Sequence, residues 1–194
     1  METRRHVVCS SASPGVRGHL WTPYAPAPAQ CRRRDASGHI EDCRDDFAHE
    51  TNVKIADVRA AAHKSHRIDD MAAPIASGGF RTAGMIVAPC SIRSMSEIAT
   101  GVTSTLLTRS ADVTLKERRR LVLLVRETPL HAGHLRAMAS LAEMGAIIAP
   151  PVPAFYAKPT TIEEMVDQTV GRVLDLFDID VGIVRHWGED WAPA

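Results

Sequence analysis

Leu121-Val122-Leu123-Leu124-Val125, followed at once by Arg126-Glu127-Thr128-Pro129-Leu130, is the stretch on which the fold turns. Five consecutive apolar, strand-favouring residues lie between the basic run ending at Arg120 and the Arg126–Glu127 pair. The run is too short for a helix and has no polar face to give to water. A strand of this kind is buried on both sides, which is the environment of a parallel sheet covered by helices above and below.

Reading outward from that strand gives the same answer on both sides. Downstream, Leu130–Met144 has helical spacing, with Leu135, Met138, Leu141 and Met144 on one face and Gly145 as the stop. Ala146-Ile147-Ile148-Ala149 reads as a further strand ended by Pro150-Pro151. Thr161 with Glu164 forms a capping-box signature for a last helix to about Phe177, with Ile162, Met165, Val166, Val170, Val173, Leu174 and Phe177 as its apolar stripe. Upstream, Leu106–Glu117 reads as a helix, and Ser91 to Ser94 opens a helical region that runs through Thr105. Met85-Ile86-Val87-Ala88-Pro89 reads as a strand. Before it come a short helix around Ile68–Ile75, the Ser77-Gly78-Gly79 turn and a helix near Val53–His63. Strand and helix alternate, which predicts an α/β domain with a mainly parallel sheet.

Residues 9–46 have a different texture: scattered Pro, Arg and Cys with neither helical nor strand periodicity, which reads as loop or disorder. The 194 residues suit a single domain, and 45% hydrophobic residues are ample for its core. A formal net charge of zero gives no global pull toward nucleic acid or a membrane surface, so any anion site must be local. Cys9, Cys31, Cys43 and Cys90 show no metal-binding or disulfide spacing and read as reduced thiols in a cytoplasmic protein. His131 and His134 lack a third ligand for a metal. No run reaches the ~18 apolar residues of a membrane helix.

Ligands of such folds bind beyond the carboxyl ends of the strands. After the first apolar strand, Ser91-Ile92-Arg93-Ser94 offers hydroxyls, backbone N–H groups and a cation, fit for a phosphate or a flavin edge. The same residues also read as an ordinary helix cap with a solvated Arg93. After the second, Arg126 and Glu127 are either an anion contact and a proton exchanger or a surface ion pair. After the third, Pro150, Pro151 and Pro153 stiffen a loop that presents Phe155 and Tyr156, fit for an apolar ligand with a polar head. Arg172 within the last helix and the run Lys116–Arg120 read by default as solvated positions.

In this order, Ala88-Pro89-Cys90-Ser91-Ile92-Arg93, Leu106-Leu107-Thr108-Arg109-Ser110-Ala111-Asp112-Val113, Leu115-Lys116-Glu117-Arg118-Arg119, Val125-Arg126-Glu127-Thr128-Pro129-Leu130-His131 and Pro150-Pro151-Val152-Pro153-Ala154-Phe155-Tyr156 resemble the UbiX-type flavin prenyltransferases, from about Phe47 to Trp187. The resemblance implies a Rossmann-like, three-layer flavoprotein fold. It implies transfer of dimethylallyl from dimethylallyl monophosphate to reduced FMN, at N5 and then C6, without a metal. The product, prenylated FMN, serves a UbiD-type decarboxylase. It also implies a homo-oligomer, a dodecamer, with shared sites. By the same resemblance Ser91, Ile92, Arg93, Ser94 and Arg126 bind FMN. Tyr156 and Arg172 bind the prenyl phosphate, Lys116 joining from a neighbouring subunit. Glu127 serves proton transfer, and Glu50 and Trp187 complete the catalytic set. Two other readings are a non-catalytic assembly subunit of a hydroxyarylic acid decarboxylase and a related FMN-dependent cysteine decarboxylase.

The chain departs from the family at its start. Where the family has a glycine-rich phosphate loop, this chain has Cys9-Ser10-Ser11-Ala12-Ser13-Pro14-Gly15, and the helix, strand and serine that follow in the family are missing. Read from the second base of each codon, suitable synonymous codons turn 18–29 into a string like AIYGLRMLRHL and 36–43 into HLVISKT. Both resemble the family at these places. The expectation is a first βαβ unit disrupted by a shifted reading frame over 9–46.

Overall fold

The computed structural model describes residues 7–11 and 36–41 as strands and residues 62–184 throughout. Six strands, β1 (Val7–Ser11), β2 (Ala36–Glu41), β3 (Ser65–Arg67), β4 (Gly84–Cys90), β5 (Arg120–Val125) and β6 (Ile147–Ile148), form one sheet in the order β3-β2-β1-β4-β5-β6. Every neighbouring pair is parallel. Among the described residues four helices follow the later strands: α1 (Ile92–Thr100), α2 (Leu106–Lys116), α3 (Ala132–Glu143) and α4 (Ile162–Asp175).

The two apolar runs that predicted buried strands are buried throughout, and their alternation sorts side chains to opposite faces. On one face Met85, Val87, Leu121, Leu123 and Val125 pack with Met95 and Ile98 of α1 and Leu106, Leu107 and Ala111 of α2. On the other, Ile86, Ala88, Val122 and Leu124 pack with Val173 of α4 and with Phe177. Each fully buried aliphatic side chain contributes about 1.5–3 kcal/mol relative to exposure, so helices are required on both faces. Gly84 opens β4 where a Cβ would run into the Arg120 carbonyl and the Phe177 ring, so a side chain there would push β4 and β5 apart.

Helix ends follow local chemistry. Thr105 and Thr108 make a reciprocal capping box at α2, and Thr161 accepts from the Glu164 N–H at the start of α4. The Glu164 carboxylate turns instead to the N–H and hydroxyl of Thr160, at 2.6 and 3.1 Å. Gly101, left-handed at φ 70°, ends α1 well short of the expected Thr105. His131 caps α3 by accepting from the N–H groups of Gly133 and His134.

Four expectations are corrected. Ile68–Ile75 is not a helix: turns and the short 3-10 segment Pro74–Ala76 take its place, with Arg67 held locally by Asp69. On α3 the expected apolar face is only partly used, since Leu141 is fully buried while Leu135 is 53% exposed and Met144 is exposed too. The run Lys116–Arg120 is not wholly a solvated end. The Arg119 guanidinium donates to the carbonyls of Gly78 and Phe80, both at 2.7 Å, and so fastens the turn before β4. Lastly, 9–46 is not loop throughout: β1 sits between β2 and β4, with Val8 in the core, and β2 pairs with it from Ala36 to Glu41 around an irregularity at Ser37. Main-chain N–H and C=O groups can complete a sheet whatever side chains they carry, so side-chain periodicity missed both strands. The expected helix near Val53–His63 lies almost wholly outside the described residues.

Candidate functional site

The strand order reverses direction between β1 and β4, running outward through β2 and β3 on one side and β5 and β6 on the other. Ligands of open parallel sheets bind at the carboxyl ends beside such a reversal. Here that edge carries Ser91 after β4, Arg126 after β5 and the proline loop after β6. The Arg126 N–H donates to the Cys90 carbonyl at 3.3 Å, which brings the first two of these ends together.

Ser91 caps α1, accepting from the Ser94 N–H at 3.2 Å, and the two hydroxyls lie 3.1 Å apart. The first turn of α1 therefore faces the strand ends with small hydroxyls and the positive end of the helix dipole, an arrangement fit for an anion or an electron-rich carbonyl edge. Ile92 is half-buried against the core. Arg93 pairs with Glu97 at 3.0 Å, and the other Glu97 oxygen accepts the Ser104 hydroxyl at 2.6 Å. The Ser104 hydrogen bond, then Arg93, holds the Glu97 carboxyl below the ordinary carboxylate range. Cys90, fully buried, has its thiol pushed up to about 12 by desolvation, so it stays a protonated packing residue. Glu127 is exposed at the rim and accepts from the Thr128 N–H at 3.0 Å.

Beyond β6 the proline loop and α4 enclose a cavity of about 360 Å³. Tyr156 from the loop and Gln168 and Arg172 from α4 line it, while Ala149, Pro150 and Val173 supply apolar wall. Arg172 is steadied by Asp175 at 2.9 Å. Tyr156 and Arg172, paired by the sequence reading, thus meet in one cavity. Phe155 does not join them: it points to solvent, 73% exposed. Lys116 ends α2, only four residues before β5 begins, and so stands at the amino edge of the sheet, opposite the site. One chain cannot bring it to Tyr156. Glu50 and Trp187 lie outside the described residues. The sequence reading missed Gln168 and Asp175, although 168, 172 and 175 follow the i, i+4, i+7 spacing of one helix face.

Among the described residues no group of three or more His, Cys, Asp or Glu could hold a metal, and no helix is long and apolar enough to cross a membrane.

A parallel sheet with this strand order, a hydroxyl-lined helix start at the reversal and an arginine beside it define a nucleotide- or flavin-binding α/β protein. Residues 34–174 match the family described as Flavoprotein. A flavin prenyltransferase UbiX of Thauera aromatica is 52% identical over 141 residues, 73% of each chain. Among solved structures, a UbiX protein in complex with FMN and dimethylallyl pyrophosphate superposes with a TM-score of 0.86 at 43% identity, over 97% of this chain and 99% of that one. A dodecameric FMN-dependent UbiX-like decarboxylase from Escherichia coli gives 0.81 at 34% identity, over 94% and 98%. The chain belongs to the flavoprotein family and, within it, to the UbiX-type flavin prenyltransferases.

Proposed function

We propose that this protein transfers a dimethylallyl group from dimethylallyl monophosphate to reduced FMN, yielding prenylated FMN for a UbiD-type decarboxylase. The observation that carries this reading is the pairing of Tyr156 and Arg172 across a cavity whose remaining wall is largely apolar. A phosphate head suits the guanidinium and phenol, and a five-carbon tail suits the wall.

The residues at the flavin edge fit FMN: small hydroxyls and the first turn of a helix at Ser91 to Ser94, with Arg126 on the adjoining strand end. When bound, reduced FMN supplies the nucleophilic ring atoms that accept the prenyl group. Arg172 and Tyr156 hold the donor phosphate and stabilise its growing charge as the allylic C–O bond breaks. The apolar wall keeps water away from the allyl cation. Glu127, at the rim, takes up or returns the proton that the acceptor exchanges. Glu50 and Trp187 complete the catalytic set. Lys116 acts from a neighbouring copy, which its place at the far edge of the sheet supports, and a dodecamer like that of the Escherichia coli relative would bring it there. Four cysteines without disulfide spacing support a cytoplasmic setting.

The chain is a single domain over 1–194 in which 9–46 carries a shifted reading frame. Support comes from the likeness of both shifted readings, AIYGLRMLRHL over 18–29 and HLVISKT over 36–43, to the family at these places, although Ala36–Glu41 as written also forms a strand. Genomic sequencing across codons 5–50 tests this. Compensating insertions or deletions there would support it, and an unbroken frame identical to the chain would overturn it, leaving a phosphate loop poorly built for FMN.

The activity test uses purified protein alone, with anaerobically reduced FMN and dimethylallyl monophosphate. A flavin product heavier by one five-carbon prenyl unit is expected. Prenyl transfer by the purified protein without a partner would exclude the assembly-subunit reading, and its absence would favour that reading instead. Dimethylallyl diphosphate in a parallel reaction decides the donor.

A further inference from the structure

We propose that α3 packs antiparallel against the α3 of a second copy of this chain, about a two-fold axis beside Ala139. Within α3 only Leu141 is fully buried, and Ala137 and Met138 rest partly buried beside it on the core. Ala132, Leu135, Arg136, Ala139, Ala142 and Glu143 fall on the opposite side, within an arc of about 120° at about 100° per residue. All six are exposed. Four of them are apolar, and Leu135 is 53% exposed. Leu130 and Met144, at the two ends of the helix, are exposed as well. By contrast α1 turns Arg93, Ser96 and Thr100 to solvent, the polar outer face usual for a helix lying on a sheet.

The two charges on this face say what covers it. Arg136 and Glu143 share one flank, about 10 Å apart along the axis, beyond the spacing at which residues of one helix pair. When a copy is turned end for end about an axis between positions 139 and 140, each flank meets the same flank of the copy. Arg136 then stands opposite Glu143 of the second copy, and Glu143 opposite its Arg136. On the other flank Leu135 meets Ala142 of the second copy. At the axis two Ala139 side chains face each other, small enough for the helices to approach to about 8 Å. A face whose charges complement themselves suits an isologous contact, in which each pair occurs twice. An unrelated partner would need no such internal match. Since α3 and α4 cover opposite faces of the sheet, this contact stands apart from the donor cavity and from the prenyltransferase reading.

The test follows the association of the full chain by sedimentation, over dilution to the range where wild type dissociates. Arg136→Glu and Glu143→Arg each set like charges opposite one another at two places and should raise the dissociation constant about tenfold. The double variant restores both pairs in reverse and should return to within about threefold of wild type. Ala139→Cys should give a disulfide-linked dimer on oxidation, above the background of the native cysteines in wild type. Ala132→Cys should not, because its two copies would lie about 20 Å apart along the axis. The cysteine variants decide the matter if a charge variant folds poorly. A wild type that is monomeric throughout, single charge variants that associate as wild type does, or equal crosslinking at 132 and 139 would overturn the proposal. Loss of association in both single variants without recovery in the double would overturn the antiparallel register.

Discussion

The Arg172 guanidinium donates to the Asp175 carboxylate at 2.9 Å, less than one helical turn further along α4, and Asp175 is itself largely buried. Arg172 therefore lines the cavity with its guanidinium held at one nitrogen by Asp175, while half of its side chain stays open to solvent. Restraint of this kind lowers the ordering cost of gripping a ligand phosphate.

Releasing that restraint should show in binding before it shows in turnover. For Asp175→Ala we expect KM for the prenyl donor to rise about 3- to 10-fold with a smaller change in kcat, and Asp175→Asn, which keeps an acceptor, to fall between. Steady-state kinetics at saturating reduced FMN check this. A pure kcat effect would place Asp175 elsewhere in the mechanism.

Arg119 is a structural clamp in a run that reads as surface. Arg119→Ala removes two short bonds to the carbonyls of Gly78 and Phe80 and should cost about 2–3 kcal/mol in urea unfolding. Arg119→Lys should recover little, because one ammonium cannot reproduce the planar fork that spans both carbonyls.

Arg118 follows α2 in a left-handed conformation, φ 55°. Arg118→Gly should raise stability by about 0.5 kcal/mol, the relief of Cβ strain outweighing the added freedom of the unfolded chain. Arg118→Ala keeps the Cβ and should give no such gain. Chemical denaturation midpoints of the pair distinguish strain from charge.

His66 is buried on β3, and burial, then the charge of Lys64, lowers its pKa below the ordinary 6.5 although Asp70 opposes the shift. Below 6.5 the unfolded chain therefore takes up this proton before the folded one does. The contribution is complete above the unfolded value and is lost as pH falls through the folded one. The urea midpoint of the wild type should drop as pH falls below the ordinary histidine value of 6.5, and His66→Gln should flatten part of that drop. Equal slopes in the two proteins would remove His66 as a source.

Much of this molecule could be read without coordinates. The all-apolar runs at Met85–Ala88 and Leu121–Val125 demanded a sheet covered on both faces, because no residue in them can face water. The start of α4 was legible because a cap is a contact between residues three apart, Thr161 with Glu164. The strand-end rule then placed Ser91, Arg126 and Tyr156 on one edge. Where signals were local, or where burial admitted one solution, sequence was enough.

What the tertiary structure decided were contacts between residues distant in the chain. Only the folded sheet gives β1 and β2 their places, since main-chain pairing is blind to the side chains of residues 7–11 and 36–41. Only the loop carrying Gly78 and Phe80 turns Arg119 from a solvated cation into a clamp. Burial of Gln168 depends on the proline loop closing over α4, and separation of Lys116 from Tyr156 depends on which end of β5 each adjoins. Periodicity along one element fixes which side of it faces inward; what waits on that side is set by the topology that brings the other elements there.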